Sequence, residues 1–109
     1  MDEKSIILTK IAQADGTFKL RPALVLRKLL TYDDVLVCGI STQLHQEIEN
    51  FDAILIPSIQ NGLKEKSLIR LNFLAVLPHS ESIRKIGEID DALHQLLLRR
   101  LADYIKKEK

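Results

Sequence analysis

Leu20-Arg-Pro-Ala-Leu-Val-Leu-Arg27 and Val35-Leu-Val-Cys-Gly-Ile-Ser-Thr-Gln43 decide how this chain is read. Both are apolar runs of aliphatic and β-branched residues, the composition of buried strands. Alternation puts Leu24 and Leu26 on one face of the first run and Ala23 and Val25 on the other. Both faces are apolar, which suits a strand covered on both sides. Pro22 lacks a ladder donor and so belongs at a sheet edge, a strand start or a bulge. It also biases Arg21 toward an extended backbone. Gly39 fits a bulge or a close backbone approach. The first run carries Arg21 near one end, and the second finishes in Ser41, Thr42 and Gln43. An arginine fork and hydroxyls at the ends of two buried strands form a candidate anion site.

Upstream, Ile6 to Ala12 reads as a first strand. Ala14-Asp15-Gly16-Thr17 is a turn, because Asp-Gly supplies the positive φ of a hairpin. Strand two then runs from Leu20 to about Lys28. Tyr32-Asp33-Asp34 turns the chain into strand three, Val35 to Ile40. Residues 42–50 are polar and read as a loop. Phe51 to Ile56 is a fourth strand stopped by Pro57, Asn61-Gly62 is a turn, and Leu68 to Leu77 is a fifth strand ended by Pro78. Ser82 to Ile89 alternates as a sixth strand of mixed facing.

Asp90 or Asp91 is the expected N-cap of a helix reaching about Lys106. Leu93, Leu97, Leu101 and Ile105 repeat every four residues, and Leu96 and Tyr104 widen the stripe. Leu98 lies off the stripe, as a surface or interface residue would. The acidic start and the Lys106-Lys107 end complement the helix dipole. Strands first and one helix last predict a mainly β fold with α: a small, strongly bent sheet or partly closed barrel capped by the helix.

Composition bounds the rest. A chain of 109 residues is expected to form a single domain over residues 1–109. At 46% hydrophobic it can build one core without metal or disulfide support. The net charge of +1 offers no broad basic field for duplex DNA, so a nucleic-acid site must be local. The lone Cys38 sits in an apolar run, reads as a buried thiol, and is compatible with a reducing cytoplasm. No apolar run reaches the roughly 20 residues of a membrane span, and Met-Asp-Glu-Lys is unlike a signal peptide.

No zinc-type cluster, phosphate-binding glycine loop or nucleophile elbow occurs. His45, His79 and His94 stand at no ligand spacing; His94 falls on the helix, as a surface or packing residue, and the other two in loops. The candidates for chemistry are therefore Arg21, Ser41 and their neighbours. Residue by residue, plainer readings stand beside the functional ones. Arg21 could pair with a carboxylate such as Asp15, Ser41 could cap a turn, and Thr42 and Gln43 could be ordinary loop polars. Arg70 and Asn72, two apart in strand five, are expected on one side of it.

Three ordered motifs carry a family resemblance. Arg21-Pro-Ala-Leu-Val-Leu26 followed by Gly39-Ile-Ser-Thr-Gln43, then Ser67-Leu-Ile-Arg-Leu-Asn72, then Ile83-Arg-Lys-Ile-Gly-Glu-Ile89 with an amphipathic helix, resemble the MazF/PemK toxins of bacterial toxin–antitoxin pairs. The resemblance covers most of the chain. It implies an SH3-like barrel, usually a homodimer, restrained by a cognate antitoxin whose disordered segment orders over the active groove. It implies a metal-independent endoribonuclease without cofactor, acting on single-stranded RNA such as mRNA. The 2′-hydroxyl attacks the adjacent phosphate and leaves a 2′,3′-cyclic phosphate and a 5′-hydroxyl. Arg21 matches the family's catalytic arginine and Ser41 a position of catalytic threonine or serine. Lys19, Thr42, Gln43, Arg70 and Asn72 are the implied RNA contacts. Asn72 stands where several members have an acidic residue, and Gly16 where some have a glutamate, so acid–base roles of those members do not transfer. The alternative is a catalytically inactive RNA- or peptide-binding barrel, or a dimerisation domain whose grooves only seat a partner.

Overall fold

Alternating apolar residues build the strands, and the terminal leucine repeat builds the helix. The computed structural model describes residues 2–12, 14–30 and 32–107; the side chains of Ile11, Ala12, His79 and Ile83 lie outside the described residues. The main elements are β1 (Ser5–Ala12), β2 (Phe18–Lys28), β3 (Val35–Ser41), β4 (Ala53–Leu55), β5 (Ser67–Leu77), β6 (Ser82–Glu88) and α1 (Asp91–Ile105). They form one antiparallel sheet in the order β4-β5-β3-β2-β1-β6, curled into a half-barrel, with one C-terminal helix.

The two apolar faces of β2 are both used. Leu24 and Leu26 join Ile6, Cys38, Ile40, Ile69 and Leu71 and the helix residues Leu97 and Leu101 in the main core. Ala23 and Val25 join Ile7, Val35 and Val37 in a second cluster. Each such side chain contributes roughly 1.5–3 kcal/mol by leaving water.

Pro22 falls where its missing donor costs nothing. β2 pairs with β1 from Phe18 onward, but its pairing with β3 begins only at Ala23 opposite Gly39. Residues 18–22 of β2 are thus a local edge. The β1–β2 turn has Gly16 at φ +86°, and Asp15 Oδ1 accepts from the Thr17 amide at 3.0 Å and the Thr17 hydroxyl at 2.6 Å. These bonds hold the Asp15 carboxyl below its ordinary range.

The helix starts as its cap predicts. Asp90 Oδ1 accepts from Leu93 N at 2.8 Å, and Lys4 Nζ pairs with Asp91 at 2.7 Å. Its apolar stripe is narrower than expected toward the end: Leu96, Tyr104 and Ile105 are exposed. Leu98, expected as a surface or interface residue, packs partly buried against the main core. Tyr104 rests on Phe51, with ring centroids 5.1 Å apart. His94 is buried, and its Nε2–H donates to the Leu26 carbonyl at 2.8 Å, a packing role.

The fourth strand is shorter than expected, because Phe51 and Asp52 leave the ladder. The connection after it is held by a buried, fully engaged asparagine. Asn61 Oδ1 accepts from Ser58 N and Leu63 N at 3.0 Å each, and its Nδ2 donates to Ile56 O at 2.9 Å. Next to it Gly62 takes φ +68° and lies against the backbone of Ile86, while Gly87 lies against Asn61. Two glycines in direct contact dock this loop onto β6.

Candidate active site

A break in strand register shapes the site. Cys38 pairs with Leu74, yet the next residue, Gly39, pairs with Arg70. Leu71, Asn72 and Phe73 therefore bulge out of the β3–β5 ladder. The amide of Leu71 is satisfied from outside the sheet, donating to Asp52 Oδ1 at 3.0 Å. Asp52 Oδ2 accepts from Ile48 N at 2.9 Å, and Arg100 of α1 donates to the carbonyls of Phe51 (3.2 Å) and Asp52 (2.9 Å). One buried carboxylate and one arginine thus tie the loop before β4 to β5 and to the helix.

Between this loop and the local edge of β2 lies a cleft of about 420 Å³. It is lined by Arg21, Pro22, Gly39, Ile40, Ser41, Gln43, Gln46, Arg70 and Phe73. Arg21, opposite Thr9 in the β1–β2 ladder, is exposed and makes no ion pair among the described residues; Asp15 is engaged with Thr17 instead. Ser41 ends β3, and its Oγ accepts from Gln43 N at 3.0 Å. That is the turn-capping role expected of a loop serine, and it leaves the hydroxyl hydrogen free to donate.

Arg70 enters from β5. Its Nη1 donates to Gln46 Oε1 at 3.0 Å, and its guanidinium lies 4.1 Å above the centroid of the Phe73 ring. Its Nε is buried with no partner. Gln43 and Gln46 face the cleft together because a 3-10 turn, Leu44–Gln46 with Gln43 as its cap, eclipses side chains three apart. Two guanidiniums line the cleft, and among the described residues its lining has no carboxylate and no imidazole. Its electrostatics favour an anion.

Of the residues expected at the site, the structure brings together Arg21, Ser41, Gln43 and Arg70. Lys19 and Thr42 are exposed beside the cleft and do not line it. Asn72 departs from strand periodicity: the bulge separates it from Arg70 and sets it in a neighbouring groove with Thr9, Lys10, Ala23, Val37, Ala75 and Leu77. His45 is exposed on the 3-10 turn, and the His79 side chain lies outside the described residues. Sequence reasoning missed Gln46, Phe73 and Asp52. The spacing of Gln43 and Gln46 is a signal for the first; the other two depend on a bulge that alternation does not reveal. Among the described residues no group of three metal-ligating side chains converges, and no helix is long and apolar enough to cross a membrane.

No curated protein sequence matches the chain. Among solved structures, an endoribonuclease in complex with its cognate antitoxin, from a mycobacterial species, superposes with a TM-score of 0.73 at 14% identity, over 98% of this chain and 96% of that one. The Mycobacterium tuberculosis toxin MazF-mt6 gives 0.66 at 19% identity, over 96% and 99%. The MazF of a MazE–MazF structure from Deinococcus radiodurans gives 0.66 at 13% identity, over 99% and 97%. At these identities the likeness establishes the fold. Sequence carries the family: residues 3–105 match the family model described as the PemK-like, MazF-like toxin of type II toxin–antitoxin systems, and the chain belongs to that family.

Proposed function

We propose that this toxin is a metal-independent endoribonuclease acting on single-stranded RNA. The observation that carries the reading is that Arg21 and Ser41, on the paired strands β2 and β3, line one cleft with a second guanidinium, Arg70. The RNA 2′-hydroxyl oxygen forms a bond to the adjacent phosphorus, the bond to the 5′-oxygen breaks, and the products are a 2′,3′-cyclic phosphate and a 5′-hydroxyl. Negative charge gathers on the phosphate oxygens as this happens. The Arg21 guanidinium faces that charge and the Ser41 hydroxyl donates to the same phosphate. Among the described residues the cleft's lining offers no carboxylate or imidazole, so in this reading the chain supplies positioning and charge while the 2′-hydroxyl proton passes to water and the 5′-oxygen takes one from it. Gln43 and Arg70 hold the strand in the cleft, and Lys19, Thr42 and Asn72 meet it on either side. An unpaired strand suits the cleft, because only unstacked nucleotides fit so small a space.

The partners proposed are an antitoxin and a second copy. Two of the similar structures are described as complexes with an antitoxin or with MazE, which supports an antitoxin here. A homodimer is supported by β5. β4 covers only Ser67–Ile69, and beyond Arg70 the strand exposes Leu74 and Val76. An unpaired apolar edge invites a copy of itself. The cytoplasm, where mRNA and a reduced Cys38 coexist, is the proposed location.

Incubation of the purified protein with RNA in EDTA, beside Arg21→Ala, tests the reading. Cleavage that falls about 10²–10³-fold in the variant is expected. No cleavage by the parent, or equal cleavage by both, overturns it. That no carboxylate lines the cleft among the described residues favours one second reading, a barrel that binds RNA without cutting it. Binding without product would establish that one.

A further inference from the structure

The cleft does not end at Phe73. A groove of about 310 Å³ lies beside it, and Gly39 and Phe73 form part of the walls of both. Phe73 is 59% exposed. Its ring has the Arg70 guanidinium 4.1 Å from its centroid. The groove's lining is mostly apolar, with Ala23, Val37, Leu74, Ala75 and Leu77, and it carries the Asn72 amide and Lys10; the buried Thr9 hydroxyl already donates to the Glu81 carbonyl at 2.9 Å. A mostly apolar groove with an amide and an amine, opening from an anion cleft, matches the chemistry of a nucleotide: phosphate on one side, base on the other.

We infer that this groove holds the nucleobase adjoining the bound phosphate, stacked against Phe73. The inference rests on the RNA reading above and deepens it. Base–aromatic stacking is tolerant of sequence, since every base has a π-face. The guanidinium already beside the ring extends the stack, as cations over aromatic faces do. Phe73 lies over Gly39: a Cβ there would meet the ring in ordinary contact, 3.4 Å away. The bulge of residues 71–73 is what turns the ring to this position, so the irregularity of β5 has a use.

The test compares two non-cleavable probes by fluorescence anisotropy: 2′-O-methyl oligouridylate and a chain of the same length in which every base is replaced by hydrogen. The parent protein should prefer the base-bearing probe by roughly 5- to 150-fold, the range of one stacked base. Phe73→Ala should remove most of that preference, and Phe73→Tyr should restore it. Arg21→Ala should weaken both probes alike, because it meets phosphate. An unchanged preference in Phe73→Ala overturns the inference. So does a fall of the Phe73→Ala protein from dimer to monomer in light scattering, which would make Phe73 a contact between copies. The readout is binding alone. If the parent fails to cleave RNA but keeps a base preference that depends on Phe73, only the catalytic reading falls. If cleavage stands and the preference is absent, only the base groove falls. A parent that binds neither probe sinks both.

Discussion

Arg70 of β5 and Gln46 of the 3-10 turn meet through one hydrogen bond, Nη1–H to Oε1 at 3.0 Å. The bond gives a flexible guanidinium one direction. Gln46→Ala should therefore lower kcat/KM for RNA cleavage about tenfold, the worth of one hydrogen bond to a charged donor. Gln46→Glu keeps the geometry but places a carboxylate among the cationic groups, so it should weaken RNA binding more than the alanine variant. Equal behaviour of the two variants in a binding titration would count against an anion in the cleft.

Asp52 accepts from Leu71 N and Ile48 N at once. Asp52→Ala leaves two amides without a partner, one of them in the interior. A loss of about 3 kcal/mol, seen as a lower urea midpoint, is expected. Asp52→Asn can offer only one acceptor oxygen and should fall between the two.

Two glycines separate crowding from backbone strain. A Cβ on Gly87 would lie 2.2 Å from the Asn61 carbonyl carbon, and neither backbone can give way cheaply. Gly87→Ala should cost more than about 3 kcal/mol or prevent folding. Gly16 has φ +86° and open space around it, so Gly16→Ala should cost only about 1 kcal/mol. Thermal unfolding of the pair distinguishes the two costs.

Cys38 is fully buried, and burial, followed by the nearby Asp52 charge, pushes its thiol from 9.0 up to about 12. The folded chain thus keeps a proton that the unfolded chain releases near pH 9. The sign follows: this thiol leaves stability unchanged below about pH 9 and subtracts from it as pH rises from 9 toward 12. Cys38→Ala should flatten that part of the profile. A thiol reagent at pH 8 should label Cys38 only as fast as the protein opens.

Much of this architecture is legible in the chain. Pro22, Gly16, Asn61 and Asp90 each announce a local structure by a mechanism that holds regardless of the fold. Arg21 lies in β2 just before its pairing with β3 begins and Ser41 ends β3, so the hairpin of these two strands brings them to one end. What is not legible begins at Phe73. Simple alternation through Ser67–Leu77 puts Arg70 and Asn72 side by side, and only the slip between Cys38 and Gly39 separates them. That slip depends on a carboxylate from Asp52, nineteen positions upstream of Leu71, and no local pattern encodes it. Leu98 shows the limit of the four-residue repeat: it stands four after buried His94 and three before buried Leu101, so it too packs against the core.

Arg100 grips the carbonyls of Phe51 and Asp52, and Asp52 grips β5, so the terminal helix and the wall bearing Gln46 share a single anchor. Levering that helix outward would loosen the cleft's far wall without anything touching the cleft itself. The Leu71 amide, whose partner in this anchor is a side chain, would be the first to exchange its hydrogen for deuterium.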